Sequence, residues 1–233
     1  MSRNTVDKGN FGSDGAIKAV IFDCDGVIVD SRAANASLYN QFLSHFNREP
    51  LNEDQLNYVH SHTLQESLKF LLGDDSLIRE AERLWQEMDY GPLIELLTLQ
   101  PGLMECLELL RSHYKTAIAT NRTRTMGQLL ERFGLNPYFD LVVTSLDVHH
   151  PKPHPESVNK ILSYLDITPD AACYVGDSDV DRETSERAGV LFIAYRNEEL
   201  KAAHHLSHFD ELIPILKQHS RMQGGHRPSF TRD

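Results

Sequence analysis

Asp23 and Asp25 close the apolar run Ala19-Val20-Ile21-Phe22, and Asp177, Asp179 and Asp181 follow a second run, Ala172-Cys173-Tyr174-Val175. Carboxylates at such spacings can hold an oxygen-seeking divalent cation such as Mg2+, attack an electrophile or carry a proton. Crowding them at the ends of buried strands is otherwise unfavourable, because like charges in a crevice resist ionisation. Asp and Gly also favour turns, so either cluster alone is explained by chain reversal. The pair, about 150 residues apart in sequence, is harder to explain that way. In open parallel sheets, ligands bind at the carboxyl ends of strands.

The elements that must position these groups alternate. A strand over Ala19–Phe22 is followed by a long helical stretch, in which Leu38, Phe42 and Phe46 recur at four-residue spacing and Leu64 and Leu68 repeat it. Pro101-Gly102 reopens the alternation. The pattern then predicts helix 103–112, strand 116–120, helix 125–133 ended by Gly134, strand 141–144 and helix 155–165. Strand 172–175, helix 181–188 and strand 191–194 complete it. Strands alternating with helices imply an α/β fold: a doubly wound, Rossmann-like parallel sheet with helices on both faces. The expected boundaries are a polar N-terminal tail over 1–15, a core over 16–30 and 100–217, an inserted helical cap over 31–99, and a basic tail over 218–233.

Four short motifs carry a family resemblance. Asp23-x-Asp25-Gly26-Val27-Ile28-Val29-Asp30-Ser31, Thr120-Asn121, Pro151-Lys152-Pro153 and Gly176-Asp177-x-x-x-Asp181 resemble, in order, the four motifs of the haloacid dehalogenase-like hydrolases. Pro101-Gly102, Tyr138-Phe139-Asp140 and Lys152-Pro153-His154-Pro155-Glu156 are similar to its phosphoglycolate phosphatase and β-phosphoglucomutase branch. The resemblance implies that Asp23 is the nucleophile and that Asp25 donates a proton to the leaving oxygen, then takes one from water. It implies a Mg2+ held by Asp23, the Asp25 backbone carbonyl and Asp177, with Asp181 one shell further out. It places the phosphoryl group on Thr120, Asn121 and Lys152.

An aspartyl-phosphate intermediate splits one very slow hydrolysis into two easier steps. Asp25 would need a raised pKa to carry a proton at neutral pH, which crowding could supply. The dehalogenases proper lack a carboxylate at this position, so Asp25 favours phosphoryl chemistry over carbon-halogen cleavage. Arg122 could add positive field for an anionic substrate. His60 and His62 fall where the resemblance places a loop over the active site, and Leu64 stands where sugar-phosphate mutases use an arginine. His149-His150 and His204-His205 with His208 suggest a metal but show no acidic or Cys partner in sequence.

The reading is therefore a Mg2+-dependent phosphatase of a small phosphorylated metabolite. The alternatives are a β-phosphoglucomutase-like mutase, or a silent metabolite-binding protein on the same scaffold. With 233 residues, 40% hydrophobic and 24% charged, the composition is that of a globular protein of one domain or a core with an insert. A net charge of -11 disfavours nucleic acid as a partner, and no apolar run reaches the roughly 20 residues a membrane helix needs. Cys24, Cys106 and Cys173 have no metal spacing and suit buried thiols in a reducing cytoplasm. The expected assembly is a monomer or homodimer.

Overall fold

Residues 16–224 are described by a computed structural model of the chain. Residues 1–15 and 225–233, which the sequence reading assigns to tails, lie outside the described residues.

The central strand is β1 (Ala19–Phe22), and all four of its residues are fully buried. Such a run, without polar alternation, belongs inside a parallel sheet covered on both faces. After β1 the chain passes through the short β2 (Val29–Asp30) into α1 (Arg32–His45), α2 (Glu53–Ser61), α3 (Leu64–Leu72), α4 (Asp75–Glu87) and α5 (Gly91–Glu95). It returns through β3 (Thr98–Leu99), which pairs antiparallel with β2, Val29 opposite Leu99. The last two residues of the expected helical insert are thus extended, and both of its connections to the core run through one short ladder.

The core continues as α6 (Leu103–Arg111), β4 (Lys115–Ala119), α7 (Met126–Arg132), β5 (Leu141–Val143), α8 (Glu156–Leu165), β6 (Ala172–Gly176), α9 (Asp179–Ala188) and β7 (Leu191–Tyr195). Two further elements close it, β8 (His204–Leu206) and α10 (Leu212–Gly224). Neither β8 nor the helical character of residues 218–224 was expected. The expected boundary at 217 falls inside α10, so the described part of the expected tail, 218–224, is helix.

The six-stranded sheet runs β5-β4-β1-β6-β7-β8, every pair parallel. Alternate residues of each strand enter opposite layers. Val20, Phe22, Cys173 and Val175 join the apolar cluster beneath α6 and α10, whereas Ala19, Ile21, Ala172 and Tyr174 face the cluster that includes Val158, Ile161 and Leu162 of α8. The insert has its own cluster, in which Tyr39, Phe42, Leu43, Val59, Leu68, Leu71, Leu72 and Ala81 are buried.

This order positions the site. The chain leaves β1 toward β4 and β5 on one side and then crosses from β5 to β6 on the other, which makes the carboxyl end of β1 the point where strand order reverses. Phe22 stands opposite Ile118 of β4 and Val175 of β6. Asp23 follows Phe22 directly, and Thr120 and Asp177 stand two residues beyond Ile118 and Val175.

Candidate active site

The β1 ladder continues one residue past the strand, since the Asp23 N–H donates to Val175 O at 2.9 Å. This fixes Asp23 at the floor of a pocket whose lining brings together Asp23, Asp25, Thr120, Asn121, Arg122, Lys152 and Asp177 with His60 and His62 of the insert. Asn35, Trp85 and Tyr90 also line the insert's side of it. These three had no sequence signal beyond falling on helical segments.

Lys152 is the hub. It is buried, and its Nζ donates to Asp23 Oδ1 at 2.8 Å, Asp181 Oδ1 at 2.6 Å and Tyr174 Oη at 3.0 Å. Burial alone would push the Lys152 pKa down, but the charges of Asp181 and Asp23 more than reverse this and hold the ammonium charged. The Tyr174 hydroxyl passes its own hydrogen to Ala119 O at 2.7 Å, which orients its lone pairs toward the lysine. Asn121 braces the lysine from its main chain: Lys152 N donates to Asn121 Oδ1 at 3.0 Å and Asn121 Nδ2 donates to Lys152 O at 3.1 Å.

Asp181 lies behind the pocket and is fully buried. Its Oδ2 accepts from the Ser178 hydroxyl at 2.6 Å and from the Asp177 and Ser178 N–H groups at 3.2 Å each. Ser178 and Asp181 form a capping box, and for this reason α9 begins at Asp179, two residues before the expected start. Asn197, unremarked in sequence, ties down the other side by donating to Asp177 O at 2.8 Å.

Oxygens of Asp23, Asp177 and Asp181 lie within 4.8 Å of one another. Burial first, then repulsion from Asp181, pushes the Asp23 carboxyl up to about 7. The same two causes, with Asp23 added, push Asp177 well above the ordinary carboxylate range. Three carboxylates thus crowd together beside a single ammonium, which touches two of them, Asp23 and Asp181, and the cluster is short of positive charge. An oxygen-only donor set short of positive charge fits a hard dication such as Mg2+. The backbone is shaped for this approach: Gly26 has φ +87°, and a Cβ there would fall 2.0 Å from Asp177 Oδ2.

Asp25 departs from expectation. Its proposed role needs a raised pKa, which crowding could have supplied. Burial does push it up, but the Arg122 guanidinium overrides this and holds the carboxyl below its usual value. Arg122 grips it with two nitrogens: Nε donates to Asp25 Oδ2 at 3.1 Å, and Nη2 donates to Oδ1. Thr120, buried at the end of β4, accepts the Arg122 N–H on Oγ1 at 3.0 Å. In the insert, His60 Nδ1 lies 3.0 Å from Asn35 Nδ2, while His62 stacks on Tyr58 with ring centroids 3.8 Å apart.

The absence of an acidic partner for His150 is also corrected. Glu156 accepts the N–H groups of His149 and His150 at 2.8 and 3.0 Å, and its Oε2 lies 3.0 Å from His150 Nδ1. His150 and His154, exposed on the loop that carries Lys152, group with the partly buried Glu156 at the start of α8.

A family model described as haloacid dehalogenase-like hydrolase matches residues 20–195. The chain is 29% identical over 219 residues to the pyrophosphatase PpaX of Bacillus mycoides (strain KBAB4), covering 89% of this chain and 99% of that one. Among solved structures it is similar to a HAD-superfamily hydrolase, subfamily IA, variant 1, from Geobacter sulfurreducens PCA, at 37% identity and TM-score 0.76, over 86% of this chain and all of that one. A putative phosphoglycolate phosphatase from Lactobacillus plantarum shares the fold at TM-score 0.79 and 19% identity, over 86% of this chain and 99% of that one.

Proposed function

The chain belongs to the haloacid dehalogenase-like hydrolase family, and on that premise we propose that this phosphatase is Mg2+-dependent and cleaves a small phosphorylated metabolite through an aspartyl-phosphate. The observation that carries the reading is the cluster at the end of β1: Asp23, oriented by a buried Lys152, beside Asp177 and Asp181.

In this mechanism an Asp23 carboxylate oxygen attacks phosphorus as the bond from phosphorus to the leaving oxygen breaks, and Asp25, which must first take up a proton against the hold of Arg122, supplies the proton that oxygen needs. Water then attacks the aspartyl-phosphate, Asp25 takes its proton, and inorganic phosphate leaves with Asp23 restored. Lys152 offsets charge on Asp23 and the phosphoryl oxygens. The Thr120 hydroxyl, whose oxygen already accepts from Arg122 N, directs its hydrogen to a phosphoryl oxygen, and the Asn121 N–H adds a second donor. Asp23, the Asp25 carbonyl and Asp177 would hold Mg2+, with Asp181 bracing from behind; the ion supplies positive charge to the reacting oxygens. The insert acts as a cap that excludes water from the charged site.

Hydrolysis is favoured over phosphomutation because no Arg or Lys of the insert lines the pocket among the described residues, and Leu64 does. The test is phosphate release from a panel of pyrophosphate, phosphoglycolate, sugar phosphates and nucleotides with Mg2+. Release from at least one member, lost in chelator, is the expected result. Full rates in chelator would sink the metal role, and no release from any member would revive the silent-binder reading.

Gly26→Ala gives a local check. The added methyl collides with the Asp177 carboxylate, and positive φ disfavours any side chain there. Turnover should fall at least about 100-fold, as expected when an electrostatic element of a site is displaced, and the Mg2+ concentration needed for half-maximal rate should rise. Unchanged Mg2+ dependence would show that Asp177 does not serve the ion.

A further inference from the structure

We infer that Arg122 receives the leaving group, so that the enzyme selects phosphoryl donors whose leaving group carries an anionic oxygen of its own, a carboxylate or a second phosphate. The inference deepens the phosphatase reading and rests on it.

The argument is an accounting of hydrogen bonds. Only two cationic side chains line the pocket among the described residues, Lys152 and Arg122. Lys152 is committed to Asp23 and Asp181. Arg122 is half of the other ion pair, and the two side chains are only 10% and 18% exposed. Its third nitrogen, Nη1, donates to Thr125 Oγ1 at 2.9 Å, which fixes the plane of the guanidinium. Both Asp25 carboxylate oxygens are thereby engaged. Each of those oxygens keeps a second lone pair that can face a leaving oxygen, and two of the five guanidinium N–H groups, one on Nη1 and one on Nη2, have no partner among the described residues. They belong to a group that stays charged and is only 10% exposed, where an unpaired charged donor is costly.

Among the described residues the insert contributes Asn35, Tyr39, His60, His62, Trp85 and Tyr90 as its polar lining, none of them anionic. A neutral alcohol leaving group offers these N–H groups at most a hydroxyl. A leaving group ending in a carboxylate or phosphate offers a planar or tripodal set of anionic oxygens, the geometry a guanidinium fork matches with two parallel bonds. That oxygen set sits next to the leaving oxygen, so the substrate's own anion meets the two open N–H groups of Arg122 while Asp25 faces the reacting bond. Sites built around such buried polar groups reject analogues lacking the partner by as much as about 10^4-fold, because the protein group is then left unpaired.

The experiment compares 2-phosphoglycolate with 2-hydroxyethyl phosphate, which replaces the leaving group's carboxylate with an alcohol, under saturating Mg2+. The unaltered enzyme should prefer phosphoglycolate by about 100-fold or more in kcat/KM. In Arg122→Met that preference should collapse to within about fivefold, with phosphate still released from both compounds. Arg122→Lys keeps the charge but loses the fork, and should retain an intermediate preference. Equal losses on both substrates in the two variants would make Arg122 a positioning residue for Asp25 and overturn the inference, as would an unaltered enzyme that shows no preference. Failure of the phosphatase reading looks different: no phosphate is then released by the unaltered enzyme from any donor in the panel.

Discussion

Asp23→Asn is expected to reduce phosphate release by at least about 10^4-fold while leaving the fold intact, the scale on which loss of a covalent nucleophile registers. The amide is nearly isosteric, and its oxygen can still accept from Lys152 Nζ, now 2.8 Å from Asp23 Oδ1. What disappears is the anionic oxygen that must bond phosphorus. Acid quench of the parent during turnover should trap phosphate on the protein, and the variant should trap none. Retained turnover in the variant would remove Asp23 from the nucleophile's role.

The same substitution should stabilise the metal-free protein. Burial, then the charge of Asp181, pushes the Asp23 carboxyl up from 3.8 to about 7. A raised folded-state pKa means that between these values the native state holds more of this proton than the unfolded chain does. Stability contributed by the group is then fully present below about 4 and is lost as pH rises to about 7. The parent without Mg2+ should therefore weaken across that window by up to a few kcal/mol from this group. The amide of the variant cannot ionise, so Asp23→Asn should show a flatter profile and a higher Tm at pH 8 without metal. A variant that melts below the parent there would show that the cluster is not strained in the way the geometry implies. Saturating Mg2+ should narrow the difference, because a ligand of the native state stabilises it by mass action.

How much of this was legible beforehand follows from burial. β1 and β6 are covered on both faces, so their sequences are unbroken apolar runs, and everything aligned with their carboxyl ends could be placed by counting. β8 could not, because His204-His205-Leu206 is a short edge strand with one buried residue that makes no apolar run. The start of α9 was set two residues late, at Asp181, because the apolar pattern does not mark a first turn of Asp179 and Val180, whereas the Ser178 capping box draws both into the helix. Tyr174 looked like one more apolar strand residue, since a strand's sequence does not say what the far end of a side chain will meet. The grip of Arg122 on Asp25 joins residues 97 apart, and only the adjacency of β1 and β4 creates it. That pairing set the Asp25 shift against the direction its role needs, while the crowding effect fell on Asp23 and Asp177.

Lys152→Met should cost both activity and stability, and the two losses should separate. The lysine is the one cation touching Asp23 and Asp181, and Asp181 is fully buried. Removing one member of a buried ion pair strands the other, at a cost of about 3–5 kcal/mol. The denaturation midpoint should fall accordingly at pH 8. The deficit should shrink toward pH 5, because the stranded carboxyls can take up protons. Adding Asp181→Asn keeps acceptors for the Ser178 and Asp177 donors while deleting the buried charge. The double variant should therefore recover at least about 1 kcal/mol relative to Lys152→Met, a coupling within the range of contacting residues. Turnover should not recover, because Asp23 and the phosphoryl oxygens still lack their ammonium, a loss worth about 100-fold or more for a preorganised cation at developing charge. If the two substitutions proved additive in stability, Lys152 and Asp181 would not be energetically paired. If the double variant regained turnover, the lysine would be holding the fold rather than serving the phosphoryl group.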